Sequence, residues 1–205
     1  MARSTRETIL AAAAELMRRK GFGAVGMKDI VAASGAPIGS LYHHFDSKLQ
    51  IAREALTNAG AAYALLIPSV VDGYTDLGQA IDAVFSQAAE DMQTTGFANM
   101  CPVGSVAAEV ADTVEPLRET CAAVFAGWFD AGTGYFVGRG LSGEDAREVT
   151  VALAGALEGA FVLARTMRDT ESLLIAGRVL SSRYRGIALS ALSPRVLPAA
   201  VGSDR

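Results

Sequence analysis

Cysteine and histidine are nearly absent from this sequence, at two of each in 205 residues. Cys101 and Cys121 are too few for a disulfide scaffold, and their spacing fits no close Cys-x-x-Cys metal site. His43 and His44 are adjacent, and adjacent positions on a helix point about 100° apart, so they cannot jointly hold one metal ion. No metal and no cofactor are expected. The body of the chain has no histidine to act as a base for Cys101, and no basic residue flanks either thiol, so both read as buried, inert thiols, with a redox switch at one of them as the other reading. The sequence also lacks a phosphate-cradling Walker loop, a Gly-x-Gly-x-x-Gly turn and a His-Glu-x-x-His helix, which leaves no catalytic residue to name. Long apolar runs are missing too. The N-terminal apolar residues are interrupted by Glu15, Arg18 and Arg19, unlike a signal peptide. The run 59–71 is too short to span a bilayer and contains Pro68. The expectation is a cytoplasmic protein without a membrane partner or enzymatic activity.

What is present is a core. Apolar residues make up 51% of the chain and charged residues 20%, a composition far from that of disorder. The net charge of −4 is unevenly spread: residues 1–48 hold seven Lys/Arg against four Asp/Glu, leaving 11 basic and 18 acidic residues for the rest. A basic head on an acidic body suits contact with phosphates, although charge alone fits chance equally well.

Periodicity predicts helices throughout, and no segment alternates with period two, so no sheet is expected. Ile9, Leu10, Ala13, Leu16 and Met17 mark a first helix, capped by Ser4 or Thr5 and closed by Gly21. A second runs from Met27 to Ala33 and stops at Gly35. A third covers Ile38 to Phe45, with Pro37 at a first helical position. Asp46 or Ser47 then opens a longer helix toward Pro68. In the body, Leu77 to Met92, Val103 to Val110 and Leu117 to Trp128 are helical, with Gly132, Gly134, Gly138 and Gly140 expected to kink or end the last of these. Ser142 with Asp145 opens a helix to Thr166, and Thr170 opens one to about Leu192. The fold class is all-α: a three-helix helix-turn-helix head over 1–48 and a helical-bundle body over 49–205.

Short helix, glycine-containing turn and short helix form the layout of a helix-turn-helix. Pro37, Ile38 and Gly39 at the start of the second helix are small or apolar enough to sit deep in a major groove and touch base edges. Ser40, Tyr42, His43, His44 and Lys48 offer hydroxyl, imidazole and ammonium groups to phosphates, with Lys28, Arg3 and Arg6 as further candidates. The run IGSLYHHFDSK, with ETILAAAAELMRRKGFGAVGMKDIVAASGAP before it, resembles the head of TetR-family repressors. That resemblance implies an all-helical dimer, joined through its last two helices, on a double-stranded DNA operator. Gly26 departs from the Ser or Thr usual in the family and offers no side chain to a phosphate.

In the body, NMCPVGSVAAEVA and ALEGAFVLARTMRDTESLLIAGRVL resemble the LmrA/YxaF-like branch, whose members answer to drugs and plant-type aromatics. Tyr63, Met92, Phe97, Met100, Phe125, Trp128 and Phe161 are candidates to line a pocket for an apolar or aromatic small-molecule effector, with Arg165 as a polar handle or a surface ion-pair partner. Apolar residues at helical spacing also build plain core. In the last two helices, the small residues Ala152, Ala154, Gly155, Ala156, Gly159, Ala160, Ala176 and Gly177 allow close approach, while Leu153, Leu157, Phe161, Leu173, Leu180 and Tyr184 supply apolar area. Periodicity does not separate an internal pair from a homodimer interface. The reading is a ligand-released repressor, and its alternative is a DNA-binding regulator without an effector.

Overall fold

A computed structural model describes residues 4–191. It contains ten helices and no strand among the described residues: α1 Thr5–Lys20, α2 Met27–Ser34, α3 Ile38–His44, α4 Lys48–Tyr63, α5 Leu66–Val71, α6 Leu77–Thr94, α7 Pro102–Val110, α8 Glu115–Gly138, α9 Gly143–Met167 and α10 Glu171–Tyr184. Their starts follow from side chains that satisfy free N–H groups. The Ser4 hydroxyl accepts from Glu7 N at 3.3 Å while the Glu7 carboxylate accepts from Ser4 N at 2.8 Å, a reciprocal capping box. Ser47, Asp76 and Ser142 accept from Gln50, Gln79 and Asp145 in the same way. Gly35 ends α2 in the left-handed region, with φ 66°.

Four elements depart from the sequence expectation. The helix expected to run to Pro68 ends at Tyr63, and Pro68 instead lies in the first turn of α5, where its missing N–H costs no helical bond. Pro37 is the residue before α3 rather than its first. The glycines of α8 do not end it before Gly138, because tertiary contact compensates their low propensity. A Cβ at Gly132 would lie 2.6 Å from Thr150 Cγ2, so this glycine lets α8 press against α9. Finally, α10 stops at Tyr184, and Gly186 turns the chain with φ 79°. Residues beyond it run back along the start of α6, where Leu77 N donates to Ile187 O at 2.9 Å and Leu189 N to Thr75 O at 2.8 Å. Leu192 lies outside the described residues.

Two apolar clusters hold the molecule together. The first joins the head to α7 and the front of α8: Ile9, Leu41, Phe45, Ile51 and Leu56 pack with Cys101, Val103, Val106, Leu117 and Cys121. The second lies between α6, α9 and α10 and includes Leu77, Ile81, Phe85, Met92, Leu153, Leu157, Leu173 and Tyr184. Leu153, Leu157, Leu173 and Tyr184 therefore fill this subunit's own core, with Phe161 and Leu180 half-buried against it. At the far end Arg139 is buried and donates to the carbonyls of Ser190 and Tyr74 and to Asp72, at 2.6–2.8 Å.

By length and composition α9 could cross a membrane. In the structure its apolar residues divide between the core and a bare outer strip of Val151, Gly155, Gly159, Val162, Leu163 and Met167. Leu174, Ile175 and Val179 of α10 are exposed as well, and Ile175 and Val179 line a depression of about 390 Å³ with Leu163 and Met167.

Candidate nucleic-acid interface

Two anchors orient α3. Leu41 and Phe45 are 0% and 1% exposed, which turns the opposite face of this two-turn helix to solvent. On that face Ile38 is 53% and Tyr42 59% exposed, an i, i+4 pair flanked by exposed Gly39 and His43. No atom lies within 4 Å of where a Gly39 side chain would start. Large apolar groups left bare beside a bare glycine suit insertion into a groove, since a solvated surface gains nothing from them. Pro37 is exposed at the start of α3, and Ser40 and His44 are half-buried on its flanks. The two imidazoles meet edge-on at 5.1 Å, and His44 also contacts the Phe45 ring at 6.2 Å.

The basic residues differ in freedom. Lys28 is exposed on the first turn of α2. Gly26, which lacks a capping side chain, donates its own N–H to the Asp29 carboxylate at 2.7 Å, half of a capping box. Lys48 is half-buried with its ammonium 4.1 Å from the centre of the Phe22 ring. Burial pulls its pKa down, and the carboxylates of Glu109 and Asp29 work against that. Arg6 lies over the Phe45 ring and pairs with Glu54, while Arg3 lies outside the described residues.

The body candidates do not converge on one cavity. Tyr63, Phe125 and Trp128 pack against the first cluster, whereas Met92, Phe97 and Phe161 belong to the second or pack against it; Met100 is buried outside both. Phe125 and Trp128 meet edge-on at 5.4 Å, and the indole N–H donates to Gly60 O at 2.7 Å. Trp128 also borders an open groove of about 590 Å³ between α4 and α8, walled by Gly60, Ala61, Ala64, Ala123, Val124 and Gly127, with Arg53 and Glu119 at its rim. Sequence reasoning missed this groove, because small residues at helical spacing carry no signal until two helices are placed side by side. Tyr63 donates to Met100 O at 3.3 Å, and burial raises its pKa to about 12. Arg165 donates to the carbonyls of Arg18 and Arg19 at the end of α1. Burial raises the Cys101 thiol far above its ordinary pKa and Cys121 to about 11, which disfavours the reactive thiolates. Glu158, on α9, turns inward against Cys101, and burial raises its pKa as well. Among the described residues no group of three His, Cys, Asp or Glu side chains could hold a metal.

A helix-turn-helix head with a solvent-facing recognition helix, carried on an all-helical body, defines a DNA-binding transcriptional regulator. Residues 9–55 match the model for bacterial regulatory proteins of the tetR family, and residues 78–179 match that for the C-terminal domain of LmrA/YxaF-like transcriptional regulators. The chain is 35% identical over 172 residues to the HTH-type transcriptional regulator YxaF of Bacillus subtilis (strain 168), covering 83% of this chain and 90% of YxaF. To the HTH-type transcriptional regulator LmrA of the same organism it is 32% identical over 171 residues, covering 83% and 91%. The crystal structure of regulatory protein TetR from Rhodobacter sphaeroides shares the fold with a TM-score of 0.75 at 22% identity, covering 88% of this chain and 98% of that one. The protein belongs to the TetR family of transcriptional regulators.

Proposed function

We propose that this protein is a cytoplasmic homodimeric repressor that holds a pseudo-palindromic operator and releases it when a small apolar or aromatic molecule enters the body. The observation that carries the reading is a pair of bare surfaces: the Ile38–Gly39–Tyr42 face of α3, and the apolar strip along α9 and α10. A second copy packed on that strip by a two-fold axis would bury Val162, Leu163, Met167, Ile175 and Val179 and present two recognition helices together. Ile38 and Gly39 then read base edges, while Lys28, Tyr42, His43 and Lys48 hold phosphates. Half-sites about 34–36 Å apart, or a multiple of that, follow from the groove repeat. A coupling of about 1–3 kcal/mol between body and head is enough for a 5–150-fold loss of operator affinity.

A regulator without an effector is the second reading, favoured by the division of the aromatic candidates between two clusters. Fluorescence anisotropy with the chain's own upstream DNA and a scrambled control, across salt and with a panel of planar aromatic compounds, separates the two. Selective binding reversed by a compound supports the effector-released repressor. Selective binding that no compound reverses supports the second reading, and equal weak binding to both DNAs counts against operator recognition in that fragment.

A further inference from the structure

The end of α1 is held by the body through its main chain. Glu109 of α7 accepts from the N–H groups of Phe22 and Gly23 at 2.7 and 2.6 Å, taking two donors that follow the helix. From the other side, Arg165 of α9 donates to the carbonyls of Arg18 and Arg19 at 3.0 and 2.5 Å. Ser105 of α7 adds a bond to Arg18 O at 3.2 Å, and Arg18 itself reaches back to the carbonyl of Ala98. The charges suit their targets, since a guanidinium meets the negative end of the α1 dipole and a carboxylate meets free N–H groups. Room is made for this contact: a Cβ at Gly21 would collide with the Glu109 carboxylate, and one at Gly23 would lie 2.8 Å from it.

We infer that Glu109 and Arg165 are positioning residues: a clamp of opposite charges on the end of α1 that fixes the angle of the DNA-binding head on the body. Neither side chain lies on α3, although the Glu109 carboxylate also acts on the Lys48 ammonium. Because Arg165 is on α9, which also carries the bare apolar strip, the clamp ties each head to the proposed dimer helix. It thereby sets the distance between recognition helices, a consequence that rests on the dimer reading above. One added base pair moves a half-site by about 3.4 Å and turns it by roughly 35°, so a rigid head rejects altered spacing and a loosened head tolerates it.

The test uses the full chain with Glu109→Ala, Glu109→Gln and Arg165→Ala, and with Glu90→Ala as an exposed control. Hydrogen exchange of individual amides is the first readout. Glu109→Ala should speed exchange of Phe22 and Gly23 by about tenfold. Glu109→Gln, which keeps one acceptor, should fall between, and Leu77, bonded to Ile187 O in the distant α6–α10 joint, should not change. Faster exchange at Leu77 as well would mean general destabilisation and would overturn the clamp, as would unchanged exchange at Phe22 and Gly23. The second readout is affinity for an operator selected from random DNA, at its own spacing and with one base pair added or removed. Glu109→Ala and Arg165→Ala should both lose the spacing preference, with single half-site affinity kept in Arg165→Ala, and a preference equal to wild type would overturn the positioning role. Light scattering on the same samples keeps the two readings apart: a monomeric wild type with no spacing preference refutes the dimer, while the exchange at Phe22 and Gly23 still decides the clamp.

Discussion

Helices α6 and α10 lie so close that adding one methyl group should be felt across the body. A Cβ at Gly78 would lie 2.7 Å from the carbonyl oxygen of Ser181 and 2.9 Å from Cα of Arg185. Both are backbone atoms, so no side-chain rotation relieves the contact and the two helices have to part by roughly half an ångström, at an overpacking cost of about 1–3 kcal/mol. Alanine recovers up to about 1 kcal/mol of helix propensity in a helix interior, but Gly78 is in the first turn of α6, where less is gained. The net loss for Gly78→Ala is about 1–2 kcal/mol, which for a chain of this length lowers Tm by about 3–6 °C. Calorimetry and urea melts should be run beside Gly134→Ala, an exposed position in α8 where nothing lies within 4 Å and where alanine should add up to about 1 kcal/mol. A Gly78→Ala protein that melts at or above the wild-type temperature would refute the close α6–α10 contact.

Arg139→Met should cost about 2–4 kcal/mol in urea unfolding, because the carbonyls of Ser190 and Tyr74 and the carboxylate of Asp72 all lose a charged donor; a loss below 1 kcal/mol would show water replacing the guanidinium at little cost. Burial raises the pKa of Glu158 above its ordinary 4.5, so its stabilising contribution is complete below pH 4.5 and is lost as pH rises through the folded value. Glu158→Gln, always neutral, should therefore gain stability relative to wild type between pH 4 and pH 7, and a difference that stays flat with pH would contradict the burial of that carboxyl. Tyr42→Phe removes one exposed hydroxyl and should weaken binding to operator and unrelated DNA alike, whereas a loss confined to the operator would place Tyr42 among the base-reading residues.

The head was legible in the sequence because its signals are local. Ser4, Gly21, Gly35 and Ser47 punctuate short helices within a few residues of the bonds they make, and Leu41 and Phe45 mark the buried face of α3 by spacing alone. Body boundaries failed where tertiary contact outweighs propensity. The glycines of α8 read as breakers, yet Gly132 is a contact surface for Thr150, which no local rule can see. The end of α10 was placed too late because apolar residues continue past Tyr184, although Ile187 and Leu189 pair with the start of α6, more than a hundred residues earlier in the chain. The contact of Arg165 with the end of α1 was illegible for the same reason, since its partners at Arg18 and Arg19 lie 147 and 146 residues away. The candidate aromatics were read as one set because composition does not reveal which side of a bundle each residue faces.

Helix α9 shows why periodicity does not separate an internal pair from a dimer interface. Ala146, Val149, Leu153, Leu157, Ala160 and Ala164 form its inward face, and Val151, Gly155, Gly159, Val162 and Met167 its bare face. Between them runs a third edge of Arg147, Glu158 and Arg165, spaced by eleven and seven residues, both close to whole turns of an α-helix. Along that edge Arg147 lies over Phe129 and pairs with Asp130 of α8, Glu158 meets Cys101 at the start of α7, and Arg165 reaches the end of α1. One helix thus touches in succession α8, α7 and the DNA-binding head through three charged residues, while its opposite side is left for a partner. Any shift of α9 along its axis has to be passed to the head through Arg165 or break those bonds, and its packed face, where Thr150 seats against Gly132, resists the same shift. Arg165, carried on a helix fixed by its core face, is thus what couples the proposed dimer surface to the DNA-binding surface.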